Sequence, residues 1–222
     1  MNIIVTGVSR GIGKAVIERF TDLGHRCVGV SRGVELNNPL YSIEHTDWND
    51  MGMLCDKISK RFGGEEVDVV INNAASIVVK SLDDMKEQDF IDQYRTNAIL
   101  PFTFIRTLLN ADILRLGAHV VNIGSMAGFQ GSDKFPGLGA YSASKSALAC
   151  LTESMAAEWS NRVNVNCLCL GAVNTEMLKQ AFPSYVSEIN GVEMARFICG
   201  FAENAHGIVN GQVIPVKKDD PK

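Results

Sequence analysis

Short apolar runs alternate along the chain with longer segments whose apolar residues recur at helical spacing. The runs are continuous rather than alternating, which is typical of strands buried on both faces. Such strand–helix alternation requires a parallel sheet with helices on both sides. The sequence therefore predicts an α/β protein, a three-layer αβα Rossmann fold with a doubly wound parallel sheet of about seven strands. The segments behind this prediction are strands over Asn2–Val5, Cys27–Val30, Val67–Ile71, 118–123, Val163–Leu168 and Gln212–Val216, and helices over Gly13–Leu23, Met51–Phe62, Phe90–Leu109, Ala140–Trp159 and Val192–Glu203.

Length and charge narrow the class of protein further. The 222 residues suit one domain, so we expect residues 1–222 to form a single unit. The formal net charge of -4 gives no electrostatic reason to expect nucleic-acid or membrane-surface partners. No apolar run reaches the ~20 residues of a membrane span. The first strand begins directly after Met1, which leaves no room for a signal peptide and favours a cytoplasmic location.

The six cysteines are scattered and show no metal-ligand spacing. No CxxC pair occurs, and most of the cysteines sit among apolar neighbours, where a thiol behaves as a small hydrophobic group. The favoured interpretation is a set of reduced, buried thiols without a metal or a disulfide. The cysteines are Cys27, Cys55, Cys150, Cys167, Cys169 and Cys199.

A glycine-rich turn, TGVSRGIG over residues 6–13, joins the first strand to the first helix. Glycines allow a tight turn and a close approach of a pyrophosphate to the backbone. The amides and the positive dipole end at the start of the helix favour an anion. A turn without a ligand is the alternative, but three glycines in the first strand–helix unit favour nucleotide binding. The spacing is GxxxGxG rather than GxGxxG.

Five features in chain order resemble those of the short-chain dehydrogenase/reductase family in its compact single-domain form. TGxxxGxG is followed by Asn72-Asn73-Ala74-Ala75, similar to the family's NNAG, and by a helix asparagine at Asn97. Ser125 then ends a strand, and Tyr141-Ser-Ala-Ser-Lys145 matches the YxxxK signature. Ala75 stands where the family has glycine, and Leu170 replaces a usual proline, which raises the question of strain or loosening at these two points.

The residues after the second strand indicate which nicotinamide cofactor is bound. An acidic residue there would bind the ribose hydroxyls of NAD. This chain has Ser31-Arg32 instead, and Arg10 lies in the glycine turn on the same side. Guanidinium groups suit a 2′-phosphate, so NADP(H) is predicted over NAD(H), with two solvated surface arginines as the alternative.

Tyr141 and Lys145 lie four residues apart, on one face of a helix. A lysine ammonium ~4 Å from a phenolate would stabilise it by ~4 kcal/mol at an effective dielectric of 20. Before burial is counted, this predicts a lowered Tyr141 pKa and a phenol that exchanges a proton with a carbonyl oxygen.

The family resemblance implies a role for each remaining site residue. Ser125 would orient the substrate oxygen, Lys145 would also hold the nicotinamide ribose, and Asn97 would position a water in a proton relay. Asp47 would cap the adenine with Trp48 beside it, and the segment around Thr175 would contact the carboxamide. The predicted catalytic residues are Ser125, Tyr141, Lys145 and Asn97, and the predicted cofactor-binding residues are Gly7, Ser9, Arg10, Gly11, Ile12, Gly13, Ser31, Arg32, Asp47, Trp48, Asn73, Ala74, Ala75, Tyr141, Lys145, Gly171, Val173 and Thr175.

The resemblance implies an enzyme that interconverts a carbonyl and an alcohol on a small molecule. A simple carbonyl, a 3-oxoacyl thioester, a sugar or a pterin would all be compatible. The alternatives are a catalytically silent NADP(H)-binding regulatory protein and an epimerase or dehydratase of the extended branch, for which the chain is short. Apolar walls of the substrate pocket are expected from two segments, with Phe129, Phe135, Pro136, Met177, Leu178, Phe182 and Tyr185 as their members.

The family usually forms dimers or tetramers, so a homodimer or homotetramer is expected. The helices Phe90–Leu109 and Ala140–Trp159 would build one interface. Cys150, Leu151 and Met155 are its apolar candidates, with ordinary core packing as the alternative.

Overall fold

Seven parallel strands form one sheet in the computed structural model, which describes residues 1–32, 42–45 and 48–218. The strand order is β3-β2-β1-β4-β5-β6-β7, and every neighbouring pair runs parallel. The predicted parallel sheet is therefore confirmed. The strands are β1 (Asn2–Thr6), β2 (Arg26–Ser31), β3 (Ser42–His45), β4 (Val67–Asn72), β5 (Leu114–Ser125), β6 (Val163–Leu170) and β7 (Val213–Val216).

Helices cover both faces of the sheet. Successive residues of β4 alternate between two apolar clusters: Val70 packs toward α2 and α4, and Ile71 packs toward α1 and α7. This alternation explains the continuous apolar runs of the sequence, because both faces of each central strand are buried. The helices are α1 (Gly11–Asp22), α2 (Met51–Arg61), α3 (Glu87–Tyr94), α4 (Leu100–Asn110), α5 (Gly139–Glu158), α6 (Glu176–Ala181) and α7 (Gly191–Asn204).

The strand order reverses between β1 and β4. β1 pairs with β2 on one side and with β4 on the other, so the chain winds outward in both directions from this point. In open parallel sheets a crevice forms at such a switch point, beyond the carboxyl ends of the strands. The glycine-rich turn, the segment after β4 and Ser125 all follow carboxyl ends at this edge.

The predicted helical segment Phe90–Leu109 is confirmed by residues 87–110, although one turn within it is not α-helical. Residues 95–99 form a π-helical turn between α3 and α4, in which the Leu100 amide donates to the Arg95 carbonyl. Pro101 follows directly and has no N–H to donate to the carbonyl four residues earlier. The wider turn accommodates this loss and carries Asn97, which is fully buried. π-Helical turns inside helices are frequent at functional sites.

Further departures from the prediction are an earlier start of β5 and two elements, β3 and α6, that the sequence segments did not include. β5 begins at Leu114, four residues before the predicted strand, because Leu114 pairs with Val67 before a register shift brings His119 opposite Val69. α6 was not predicted, and it begins where the Thr175 hydroxyl accepts a hydrogen bond from the Leu178 amide. Within the described ranges, no helix has the length and apolar character needed to cross a membrane.

Candidate active site

The turn between β1 and α1 is tight and depends on its glycines. Gly7 and Gly11 have φ of +74° and +56°, a region that residues with a side chain rarely adopt. A Cβ on Gly13 would lie 2.3 Å from both the Asn73 Nδ2 and the Gly7 carbonyl oxygen. The Arg10 side chain makes no capping hydrogen bond to α1, and the first turn of the helix has no acidic residue. The positive end of the helix dipole therefore faces the cavity without an acidic side chain from its own first turn.

Asn73 braces this turn from the neighbouring strand. Its Nδ2 donates to the carbonyls of Thr6 and Gly7 at 3.0 and 3.2 Å. In return, the Thr6 hydroxyl accepts from the amides of Asn73 and Ala74, both at 3.0 Å. Ala75 is not strained, since the described residues include only two non-glycines at positive φ, Trp48 and Asp112.

One end of the cavity gathers polar and cationic groups. Ser31 is buried, and its hydroxyl has no hydrogen-bond partner among the described residues. Arg10 and Arg32 line the same cavity with exposed side chains. Trp48 is buried at φ +67° and packs edge-on against Phe104, with ring centroids 5.7 Å apart. Asp47 lies outside the described residues.

A single cavity of about 620 Å³ joins this end to the carboxyl ends of β5 and β6. Gly13 is not among its lining residues because it packs beneath the turn, against Asn73. Ser125 lines the cavity, whereas Asn97 lies behind its wall. The other predicted cofactor-binding residues that line it are Gly7, Ser9, Arg10, Gly11, Ile12, Ser31, Arg32, Trp48, Asn73, Ala74, Ala75, Tyr141, Lys145, Gly171, Val173 and Thr175.

The far end of the cavity holds the predicted catalytic groups. Tyr141 and Lys145 lie on the buried face of α5, with 8% and 3% of their surface exposed. The Lys145 Nζ donates to the Ile123 carbonyl at 2.7 Å. Ser125 ends β5, where its hydroxyl accepts from the Ala127 amide and is hydrogen-bonded to Tyr141. The structure therefore brings Ser125, Tyr141 and Lys145 together.

Burial sets the ionisation of both α5 groups. It raises the pKa of Tyr141 above its ordinary value, and the Ser125 hydrogen bond offsets this in part. The lowering expected from Lys145 before burial is counted does not set the pKa of Tyr141, because desolvation of the phenolate is the largest influence on it. Burial also lowers the pKa of Lys145 to about 8, and the neighbouring thiols of Cys167 and Cys169 oppose that change.

Asn97 connects the π-helical turn to two other segments. Its Oδ1 accepts from the Ser76 amide at 2.8 Å, and its Nδ2 donates to the Ser76 carbonyl and the Ser144 hydroxyl, both at 2.9 Å. The Ser144 hydroxyl donates in turn to the Tyr141 carbonyl. The Asn97 side chain thus fixes the loop after β4 and the first turns of α5 relative to each other.

Two cysteine sulfur atoms lie close to Lys145. The Sγ atoms of Cys167 and Cys169 are 3.9 Å apart on one face of β6. Their hydrogen bond, together with burial, raises the pKa of Cys167, and the same hydrogen bond lowers that of Cys169. All six cysteines are free, and Cys150 is exposed. The described part of the chain contains no cluster of side chains that would hold a metal ion.

The segment after β6 forms another wall of the cavity. β6 continues through Leu170, which pairs with Ser125 and Val216, so the missing proline does not loosen this point. The Gly171 amide donates to the Val216 carbonyl at 2.8 Å, and Thr175 begins α6.

A model of the short chain dehydrogenase family matches residues 1–185. The chain belongs to this family. It is 30% identical over 187 residues to the 3-oxoacyl-[acyl-carrier-protein] reductase FabG of Vibrio cholerae, covering 79% of this chain and 75% of that protein. It is 29% identical over 188 residues to the 2-dehydro-3-deoxy-D-gluconate 5-dehydrogenase of Bacillus subtilis, covering 79% and 72% of the two chains.

Solved structures confirm the fold of this short-chain dehydrogenase. One from Burkholderia cenocepacia, in complex with NADP, has a TM-score of 0.81 at 21% identity and covers 97% of this chain and 95% of its own. Another, from Francisella tularensis, has a TM-score of 0.81 at 23% identity and covers 97% and 96% of the two chains. The oxidoreductase class acting on CH–OH and C=O groups, expected from the motifs, is confirmed by the family.

Sequence reasoning missed three polar groups that hold this site in place. Thr6 binds the segment after β4, and Ser76 and Ser144 both bind Asn97. Thr6 and Ser144 stand inside the quoted motifs TGxxxGxG and YSASK, so their positions were the available signal. Ser76 contacts Asn97 through its backbone amide and carbonyl, so its side chain gave no sequence signal for this contact.

Replacing Lys145 tests how far the burial of its ammonium lowers the free energy of unfolding. Below about pH 8 the folded protein buries an ammonium, whereas the unfolded chain keeps a solvated one up to its ordinary pKa of 10.5. Lys145→Met is expected to raise the free energy of unfolding by about 2 kcal/mol at pH 7, after allowing for the lost hydrogen bond to Ile123. The wild type gains stability as the pH rises from 8 toward 10.5, so the difference should shrink there.

Urea unfolding of both proteins at pH 7 and pH 9.5 measures this difference. Lys57→Met, at an exposed site on α2, is the control and should change stability by less than about 0.5 kcal/mol. A Lys145→Met protein less stable than the wild type at pH 7 would show that the ammonium stabilises the fold.

Proposed function

We propose that this short-chain dehydrogenase is an NADP(H)-dependent oxidoreductase that reduces a ketone or aldehyde, or oxidises the matching alcohol, with Tyr141 as the general acid and base. The observation that carries the proposal is the continuity of one cavity. It has Arg10 and Arg32 at one end and Ser125, Tyr141 and Lys145 at the other. We further propose that residues 1–222 act as one catalytic domain.

The residues of the cavity fit a phosphorylated nicotinamide dinucleotide. Gly7 and Gly11 line the cavity at positive φ, and the tight turn they allow places the start of α1 beside the space where a pyrophosphate would lie. The Ser31 hydroxyl, which has no hydrogen-bond partner in the described part of the chain, and the two guanidinium groups suit the 2′-phosphate, for which Arg offers bidentate contacts. The B. cenocepacia neighbour, solved with NADP, supports this assignment by analogy.

Each remaining cofactor residue has a proposed role. Asp47 and Trp48 would flank the adenine, and the backbone of residues 73–75 would pass along the adenosine. Gly171, Val173 and Thr175 would hold the carboxamide, and Lys145 would reach the nicotinamide ribose. When bound, the reduced nicotinamide supplies a hydride to the carbonyl carbon.

The protein's own task in reduction is to orient the carbonyl and deliver a proton. Ser125 donates a hydrogen bond to the carbonyl oxygen while Tyr141 transfers its phenolic proton to the same oxygen, so the product leaves as an alcohol. The raised pKa of Tyr141 keeps the phenol protonated at neutral pH, which is the form that reduction needs. Lys145 is mainly an ammonium at pH 7 and would stabilise the phenolate left behind.

Proton supply from solvent completes the cycle. Asn97 fixes the loop after β4 to α5, and we propose that it positions a water that returns a proton to Tyr141 through Lys145. Oxidation of an alcohol would run the same steps in reverse. The overall reduction consumes one carbonyl compound, one reduced cofactor and one proton, and it yields one alcohol and one oxidised cofactor.

Assembly and location remain predictions from the sequence, namely a homodimer or homotetramer in the cytoplasm. The proposed interface uses the outer faces of α4 and α5. Cys150 is exposed and Leu151 is partly buried, which suits this role. Met155 does not belong to that face, because it is 3% exposed and packs in the core under α5.

The cofactor assignment predicts a charge-dependent preference. Titration with NADPH and NADH, followed by quenching of Trp48 emission, should give tighter NADPH binding. The double variant Arg10→Ala, Arg32→Ala should weaken NADPH binding about 100-fold and NADH binding less than threefold, because only the 2′-phosphate loses its partners. Arg196→Ala, at an exposed site on α7, is the control. Equal losses for both cofactors would contradict the 2′-phosphate assignment.

A second assay with the wild-type protein distinguishes an enzyme from a catalytically silent cofactor-binding regulator. NADPH is mixed with a panel of ketones and aldehydes, and its absorbance is followed. An enzyme oxidises NADPH only when a carbonyl is present. Tight binding without oxidation of NADPH by any carbonyl would support the regulator instead.

A further inference from the structure

Three separate segments build the walls beyond Ser125 and Tyr141, which we call the catalytic end of the cavity. Ile77 comes from the loop after β4, and Phe135 and Leu138 come from the segment that leads into α5. Leu178 lies on α6, and Phe182 is the first residue after that helix. Phe135, Met177, Leu178 and Phe182 confirm the expected apolar walls, whereas Phe129, Pro136 and Tyr185 are not among the lining residues.

The three segments contact one another across the cavity. The rings of Phe135 and Phe182 meet edge to face, with centroids 5.1 Å apart and an interplanar angle of 80°. This is a favourable arrangement for two aromatic rings, and here it joins two different loops. The Gln180 Nε2 donates to the Ile77 carbonyl at 3.3 Å, which ties α6 to the third segment. The Lys80 amide donates to the Gly137 carbonyl at 3.1 Å, and this contact between the other two segments completes a ring around the catalytic end.

Apart from Lys145, the charged groups that line the described part of the cavity lie away from its catalytic end. Among the described residues that line it, only Arg10, Arg32, Lys145 and Glu176 are charged. The two arginines belong to the opposite end, and the Glu176 Oε2 lies 3.8 Å from where a Cβ on Gly11 would be, beside the glycine turn. Lys145 donates to the Ile123 carbonyl beneath Tyr141.

Two lysines on the segments near the catalytic end, Lys134 and Lys80, already bind other groups of the protein. The Lys134 Nζ donates to the carbonyls of Phe129 and Ser132, at 2.9 and 3.0 Å. The Lys80 Nζ is 2.7 Å from the Asp89 Oδ2. Lys179 on α6 is exposed and does not line the cavity. Among the described lining residues, a carboxylate or phosphate on a substrate would therefore meet no cation except Lys145, and an unpaired buried charge is strongly unfavourable.

We infer that the substrate is an uncharged, predominantly apolar ketone or aldehyde, and that Phe135 and Phe182 are specificity-determining residues for it. This inference rests on the proposed function. The carbonyl oxygen points to Ser125 and Tyr141, and the apolar body of the substrate lies against the two rings. Sugars, sugar acids and 2-oxo acids are disfavoured, because their hydroxyls or carboxylates would lose water without gaining partners.

The test compares NADPH oxidation with three sets of carbonyl compounds. These are straight-chain methyl ketones of rising length, 2-oxo acids of the same lengths, and a ketose. We expect kcat/KM for the ketones to rise about threefold to fourfold with each methylene until the space is filled. The 2-oxo acids and the ketose should be at least about 100-fold poorer than the best ketone.

Variants of the aromatic pair link this preference to named side chains. Phe182→Ala should lower kcat/KM for the longest ketone about tenfold or more and flatten the dependence on chain length, while the Kd for NADPH stays unchanged. Phe182→Leu keeps an apolar side chain and should retain most of the dependence. Phe197→Ala, at an exposed site on α7, makes the same change away from the cavity and should alter neither quantity.

The outcomes separate this inference from the proposed function. Turnover of 2-oxo acids or the ketose in preference to the methyl ketones would overturn the inference and leave the oxidoreductase proposal in place. The same holds if Phe182→Ala keeps the full dependence on chain length. NADPH oxidation by no carbonyl of any set would contradict the proposed function, and the inference with it.

Discussion

The hydrogen bond from the buried Lys145 ammonium to the Ile123 carbonyl is the interaction on which the rest of the site depends. It joins α5 to the carboxyl end of β5 at the same point where Ser125 leaves the strand. An ammonium in this position loses its hydration and receives one strong acceptor in return, so burial lowers its pKa to about 8. The proposed function gives a reason for this cost, because the ammonium would stabilise a phenolate at Tyr141.

Neighbouring polar contacts hold α5 in the same position together with that bond. Asn97 reaches α5 through Ser144, and Asn122 in β5 donates to the Thr152 hydroxyl on the same helix at 2.9 Å. Asn72 in β4 donates in turn to Asn122 at 2.8 Å. These side chains are fully or almost fully buried, so each must be satisfied or it would destabilise the fold. The network therefore fixes Tyr141 relative to the sheet more precisely than apolar packing alone would.

Much of this arrangement could be predicted from the sequence, because it follows from local rules. The continuous apolar runs predicted the parallel sheet, and the glycine spacing placed Gly7 and Gly11 in a tight turn after β1. The four-residue spacing of Tyr141 and Lys145 placed both on one buried helix face. Each of these inferences needs only the period of a strand, a turn or a helix.

The features that sequence reasoning missed depend on contacts between distant segments. The π-helical turn at 95–99 brings Asn97 to Ser76 and Ser144, and helical periodicity contains no signal for an inserted residue. The sign of the Tyr141 pKa shift depends on how completely α5 is buried, which spacing does not report. The contact between Phe135 and Phe182 joins two loops, and loop conformation follows from tertiary packing rather than from pattern.

The most direct test of the central claim, that Tyr141 delivers the proton, is a single-turnover comparison of three proteins. Wild type, Tyr141→Phe and Tyr94→Phe are each loaded with NADPH and mixed with a saturating methyl ketone, and the loss of NADPH absorbance is timed. We predict that Tyr141→Phe binds NADPH as the wild type does but reacts about 1,000-fold more slowly, while Tyr94→Phe reacts at the wild-type rate. A Tyr141→Phe rate within about threefold of the wild type would contradict the role of Tyr141 as proton donor.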